Sequence, residues 1–71
     1  MKNIEISKVS VELYKILKFE GLVGSGGEAK LVINAGKVLV NGFIETQKKK
    51  KIITGDIIEF NNEKLNVIFK T

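Results

Sequence analysis

The pattern of apolar positions changes period part-way along the chain. Asn3-Ile4-Glu5-Ile6-Ser7 alternates weakly and suits a short strand. Over 11–20 the period lengthens. Leu13, Ile16 and Leu17 fall at i, i+3 and i+4, one stripe of an amphipathic helix, with Lys15 and Lys18 on the other side. Ser10 is the expected N-cap, and Gly21 is placed to end the helix in a left-handed conformation. Ser25 opens a second helix that Gly36 closes. Ala29, Val32 and Ile33 repeat the stripe, and the small Ala29 permits close helix–helix approach. Leu31 points away from that stripe, to be either covered by another element or exposed.

From residue 37 the period is two. Lys37-Val38-Leu39-Val40 and Phe43-Ile44-Glu45-Thr46 flank Asn41-Gly42, the strongest two-residue hairpin signal. A lysine run, Ile52-Ile53 and a Thr54-Gly55-Asp56 turn follow. Two more strands, 57–60 and 65–69, lie on either side of Asn61-Asn62. Two helices followed by a run of strands give an α+β layout. Nothing divides the 71 residues, so one domain over 1–71 is expected.

Charge adds one local feature. Twelve lysines, with no arginine, face eight carboxylates, and four of the lysines are consecutive: Lys48, Lys49, Lys50 and Lys51. Without that run the chain is formally neutral. A concentrated basic stretch points to nucleic acid or anionic lipid; the competing reading is a solvated strand whose lysines discourage edge-to-edge association.

Composition weighs against catalysis. The chain has no histidine and no cysteine, so the commonest general base and the zinc-binding thiolates are missing. Ser7, Ser10 and Ser25 therefore have no histidine to activate them. Gly24-Ser25-Gly26-Gly27-Glu28-Ala29 matches a dinucleotide fingerprint in letters alone. That motif needs a preceding strand within a βαβ unit, and here a helix precedes it. No catalytic residue, cofactor or metal is expected. The amino terminus has no apolar stretch behind its charge, and apolar runs stop at three residues, so neither a signal peptide nor a membrane span is expected. The absence of cysteine fits a reducing, cytoplasmic compartment. Phe19 is expected to complete the core; Tyr14 is open between core and base stacking.

Laid out in order, a set of motifs carries a family resemblance. Gly21-Leu22-Val23-Gly24-Ser25-Gly26-Gly27-Glu28-Ala29-Lys30, then Ile33, Gly36, Val38, Val40, Asn41-Gly42 and Gly55-Asp56, resembles the RNA-binding domain named after small-subunit ribosomal protein four. The Ser-Gly-Gly opening and Glu45-Thr46-Gln47 before the lysines are most similar to its small stand-alone bacterial members. The resemblance implies an αL RNA-binding motif: two helices packed on a small curved, mostly antiparallel sheet of four to five strands. It implies non-catalytic binding of structured RNA, ribosomal RNA or a ribosome-assembly particle, by a monomer. The expected RNA-binding residues are Lys18, Ser25, Gly26, Gly27, Lys30, Lys37, Asn41, Gly42, Lys48, Lys49, Lys50 and Lys51. The chain departs from the wider family at Glu12-Leu13-Tyr14, where that family carries Arg-Leu-Asp, and at Gly26, where it carries arginine. Lys18, Lys30 and the lysine run are the expected compensation. The alternative is a protein–protein adaptor that keeps the fold, for which an exposed Leu31 would be the sign.

Overall fold

Two tight hairpins, each turning on a pair of residues with positive φ, organise the carboxy-terminal half of the computed structural model, which describes residues 1–70. Asn41 (φ 54°) and Gly42 (φ 86°) join β3 (Leu39–Val40) to β4 (Phe43–Ile44). Asn61 (φ 51°) and Asn62 (φ 65°) join β6 (Ile57–Phe60) to β7 (Glu63–Phe69). Asparagine tolerates the left-handed region that both central positions of such a turn require. With β1 (Lys2–Ile6) these strands form a mixed five-stranded sheet in the order β1-β7-β6-β3-β4. All pairings are antiparallel except β1 with β7, which run parallel. Alternation points Ile4, Ile6, Val40, Ile58, Phe60, Leu65 and Val67 to one face, and all seven are buried.

The helices α1 (Leu13–Phe19) and α2 (Gly26–Asn34) pack on each other and complete that core with Leu13, Ile16, Leu17, Ala29 and Ile33. Both end alike. Beyond α1, Gly21 (φ 72°) donates to the Lys18 carbonyl and Leu22 to the Leu17 carbonyl. Beyond α2, Gly36 (φ 76°) donates to Ile33 and Lys37 to Val32. These paired bonds are the Schellman motif, and they need a left-handed residue where each glycine stands.

Two expectations are corrected here. Ser10 does not cap α1. Val11–Glu12 is extended as β2 and pairs antiparallel with β5 (Lys51–Ile52), which moves the helix start to Leu13 and makes Glu12 its N-cap. The Glu12 side chain caps nothing, because backbone carbonyls satisfy the first amides: Leu13 donates to Lys50 (2.9 Å) and Tyr14 to Lys48 (3.1 Å). Phe19 does not complete the core. It lies about 120° round the helix from the apolar stripe and is 67% exposed. It borders a shallow apolar cleft with Ile4, Ile6, Val11 and Ile16.

Candidate nucleic-acid interface

The solvent face of α2 carries Gly27, Lys30, Leu31 and Asn34, spaced i, i+3, i+4 and i+7 so that they form one wall. Thr46, Gln47, Lys48 and Lys49, in the loop between β4 and β5, form the wall opposite. The groove between them is open to solvent, has a volume of about 580 Å³, and brings three lysines from two separate segments to one surface. Its loop wall is held by its own backbone. The carbonyls of Lys48 and Lys50 accept the first amides of α1, and Lys50 donates to the Gln47 carbonyl at 3.1 Å. The lysine side chains stay in solvent while their peptide groups are fixed.

Lys30 is positioned from below. Its ammonium sits 4.9 Å from the centroid of the Tyr14 ring, with Lys15 at 5.9 Å from the same ring. The ring is thus engaged by cations and half-buried against the core. Lys15 also pairs with Glu12 at 3.1 Å. That hydrogen bond, more than the field of Lys49 and Lys51, holds the Glu12 carboxyl below its ordinary value and raises Lys15 in turn.

At the start of α2, Ser25 is the cap the sequence predicts: its Oγ accepts from the Glu28 amide at 3.1 Å. The Glu28 carboxylate reaches back to accept from the Gly24 amide at 2.7 Å, so an anion already stands at this helix terminus. The amides of Gly26 and Gly27 find no acceptor among the described residues. Lys18 reaches this end of the helix, its Cδ 4.0 Å from where a Cβ on Gly26 would lie.

The remaining residues expected to meet RNA lie elsewhere. Lys37 borders a separate shallow cleft with Leu39, Glu59, Phe60, Asn61 and Asn62. Lys51 lies in β5 opposite Glu12. Asn41 has its side chain engaged within the fold: Nδ2 donates to Asp56 Oδ1 at 3.0 Å and Oδ1 accepts from the Ile57 amide at 2.9 Å. Asp56 Oδ2 accepts in addition from the Ile53 amide, so Asn41-Gly42 and Gly55-Asp56 are one structural joint. Sequence reasoning missed Asn34, Thr46 and Gln47 as groove residues. The helical spacing of Asn34 from Gly27 and Lys30 was the available signal; Thr46 and Gln47 stood in the motif that carries the family resemblance, and only their place opposite α2 was hidden. It also missed the exposed hairpin residues Phe43 (78%) and Ile44 (64%).

This chain geometry recurs in known proteins. The profile of the S4 domain family matches residues 4–68. The chain belongs to the S4 domain family. YbcJ of Escherichia coli (strain K12), named there as a candidate RNA-binding protein, is 41% identical over 58 residues, 82% of this chain and 83% of YbcJ. The solution structure of YbcJ, described as an αL motif involved in RNA binding, superposes with a TM-score of 0.72 at 38% identity. That match covers 96% of this chain and 87% of YbcJ. The 30S ribosomal protein S4e of Thermoplasma acidophilum matches with a TM-score of 0.73 at 29% identity, over 90% of this chain and 34% of S4e. The αL architecture expected from the motifs is therefore the architecture present, and the family supports RNA binding. Among the described residues no group of three or more acidic, histidine or cysteine side chains could hold a metal ion. Among the described residues no helix is long and apolar enough to cross a membrane.

Proposed function

We propose that this chain acts as one domain over residues 1–71, in the cytoplasm and as a monomer, to bind structured RNA without chemistry of its own. The RNA is ribosomal, free or within a precursor particle. The observation that carries the reading is the convergence of Lys30, Lys48 and Lys49 on one groove whose walls are fixed by backbone and cation–π contacts. S4 domain membership and the likeness to YbcJ support RNA as the partner. The likeness to a 30S ribosomal protein supports ribosomal RNA within that class. Gly27 belongs to the groove wall, Lys18, Ser25 and Gly26 flank it at the start of α2, and Lys50 and Lys51 add field without lining it.

Salt dependence tests this. Each phosphate neutralised contributes roughly 0.7 to 0.9 to the log–log slope of affinity against salt. The Lys48→Gln/Lys49→Gln variant should flatten the slope by about 1.5 with the melting curve unchanged. Lys37→Gln, at the other cleft, should leave it alone. An equal effect from Lys37→Gln would reduce the groove to one part of a diffuse polycation.

A protein–protein adaptor is the second reading. Leu31 is 72% exposed, as that reading requires, and Phe19 and Val9 add apolar surface on another side. A wild-type protein that binds no ribosomal RNA fragment at low salt would favour the adaptor.

A further inference from the structure

The groove is not lined as a track for phosphates alone. Between its lysines stand Leu31, 72% exposed, and the side-chain amides of Asn34 and Gln47. Those amides make no side-chain hydrogen bond among the described residues, whereas the amides of Asn41 and Asn66 are bonded within the fold. A duplex backbone would use the cations and leave a bare leucine and two unpaired amides without a role. An unpaired nucleotide uses all of them. Its phosphates answer the ammonium groups, its base covers the apolar side chain, and its edge offers donors and acceptors to the amides. The size agrees: about 580 Å³ lies within the range of clefts that take small ligands.

We propose that the groove between α2 and the lysine loop receives a single unpaired nucleotide of the bound RNA. Lys30, Lys48 and Lys49 hold its phosphates, and the base lies against Leu31 between Asn34 and Gln47. This rests on the RNA-binding reading and deepens it: the protein recognises a bulge or junction at which one base leaves the stack. Adenine is the base whose adjacent donor and acceptor best match a side-chain amide.

Two RNA hairpins matched in phosphate number test the inference, one with a single bulged adenine and one fully paired, in competition at fixed salt. Wild-type protein should prefer the bulged hairpin by about tenfold, equivalent to 1.4 kcal/mol. Leu31→Ala, and separately Asn34→Ala/Gln47→Ala, should bring the preference below about threefold, with affinity for the paired hairpin held within about twofold. These side chains are exposed, so melting curves should match wild type. Lys48→Gln/Lys49→Gln should weaken both hairpins equally and keep the ratio. Equal wild-type affinity for the two hairpins overturns the inference while leaving RNA binding in place, as does a preference that survives every substitution. Failure to bind either hairpin overturns the RNA reading itself, and this inference with it.

Discussion

Asn41 separates a structural role from a recognition role more sharply than any other residue expected to meet RNA. Asn41→Ala removes two side-chain hydrogen bonds, to Asp56 and from the Ile57 amide. At roughly 0.5–1.5 kcal/mol each, and toward the low end because both are solvent-exposed, they account for about 1–2 kcal/mol. Alanine must also adopt φ 54° without the local hydrogen bonding that lets asparagine do so. That adds about 1 kcal/mol, for a total of about 2–3. For a domain of this size each kcal/mol moves the midpoint by about 4–8 °C, so Tm should fall by at least about 8 °C. Asn41→Gly, which loses the bonds and not the conformational freedom, should fall less. In a double-mutant cycle with Asp56→Ala the two positions should couple by about 0.5–1 kcal/mol, since they share one bond. The assay is thermal unfolding by circular dichroism, with RNA affinity measured well below both midpoints. A midpoint within 2 °C of wild type together with a tenfold loss of affinity would refute the structural assignment and return Asn41 to the RNA surface.

Other outcomes follow from contacts in and around the groove. The Glu12 carboxyl should titrate below its ordinary value of 4.5 in carbon-detected NMR. Lys15→Gln should move it back further than Lys49→Gln; the pair's contribution to stability is present above the unfolded value and is lost as pH falls through the depressed folded one. Tyr14→Leu should release Lys30, weakening RNA binding by about two- to fivefold, the range expected from a cation–π contact of about 0.5–1 kcal/mol. Tyr14→Phe should preserve both the affinity and the ring-current shift of the Lys30 ε-methylene. Gly27→Ala, on the groove wall, should weaken binding more than Gly26→Ala, whose added methyl would meet only the flexible Lys18 stem; the reverse order in binding isotherms would place the phosphate on the Lys18 side.

The legible parts of the fold were those set by local chemistry. The glycine after each helix predicted where it ends, Ser25 predicted its cap, and Asn41-Gly42 predicted a turn that both residues enter with positive φ. Parts set by distant partners were not legible. Ser10 reads as a cap until β2 is seen pairing with β5, an association across some forty residues that removes the need for a side-chain cap. The parallel pairing of β1 with β7 joins the two ends of the chain, and no local pattern encodes it. Phe19 shows the limit of periodicity: a flanking position is core or surface according to whether a neighbour covers it, and among the described residues none covers this one. The candidate site divides the same way. Lys48 and Lys49 were conspicuous in the sequence, while their meeting with Lys30 depends on how the loop docks beside α2.

The docking of that loop also explains how four consecutive lysines are kept on a small domain. Like charges at adjacent positions repel, and a loose loop would disperse them. Here the repulsion is opposed by contacts that do not involve the side chains. Two carbonyls of the run complete the first turn of α1, one residue of the run enters β5, and Ile52 immediately after it is fully buried. Glu12, across the strand pair from Lys51, places an opposite charge within the field of Lys49 and Lys51. The amino terminus of α1 and the basic loop are therefore mutually dependent. Replacing the lysine side chains should alter affinity with little effect on the fold, because the bonds that hold the loop are peptide bonds' own. Disturbing the backbone there should do both at once. Proline at Lys50 would remove the amide that donates to Gln47 and push Lys49 toward extended geometry. Lys50→Pro should consequently lower the melting midpoint and the RNA affinity together, whereas Lys50→Gln should lower neither by more than the loss of one distant charge. A Lys50→Pro protein that melts like wild type would show that the loop is not held by its backbone.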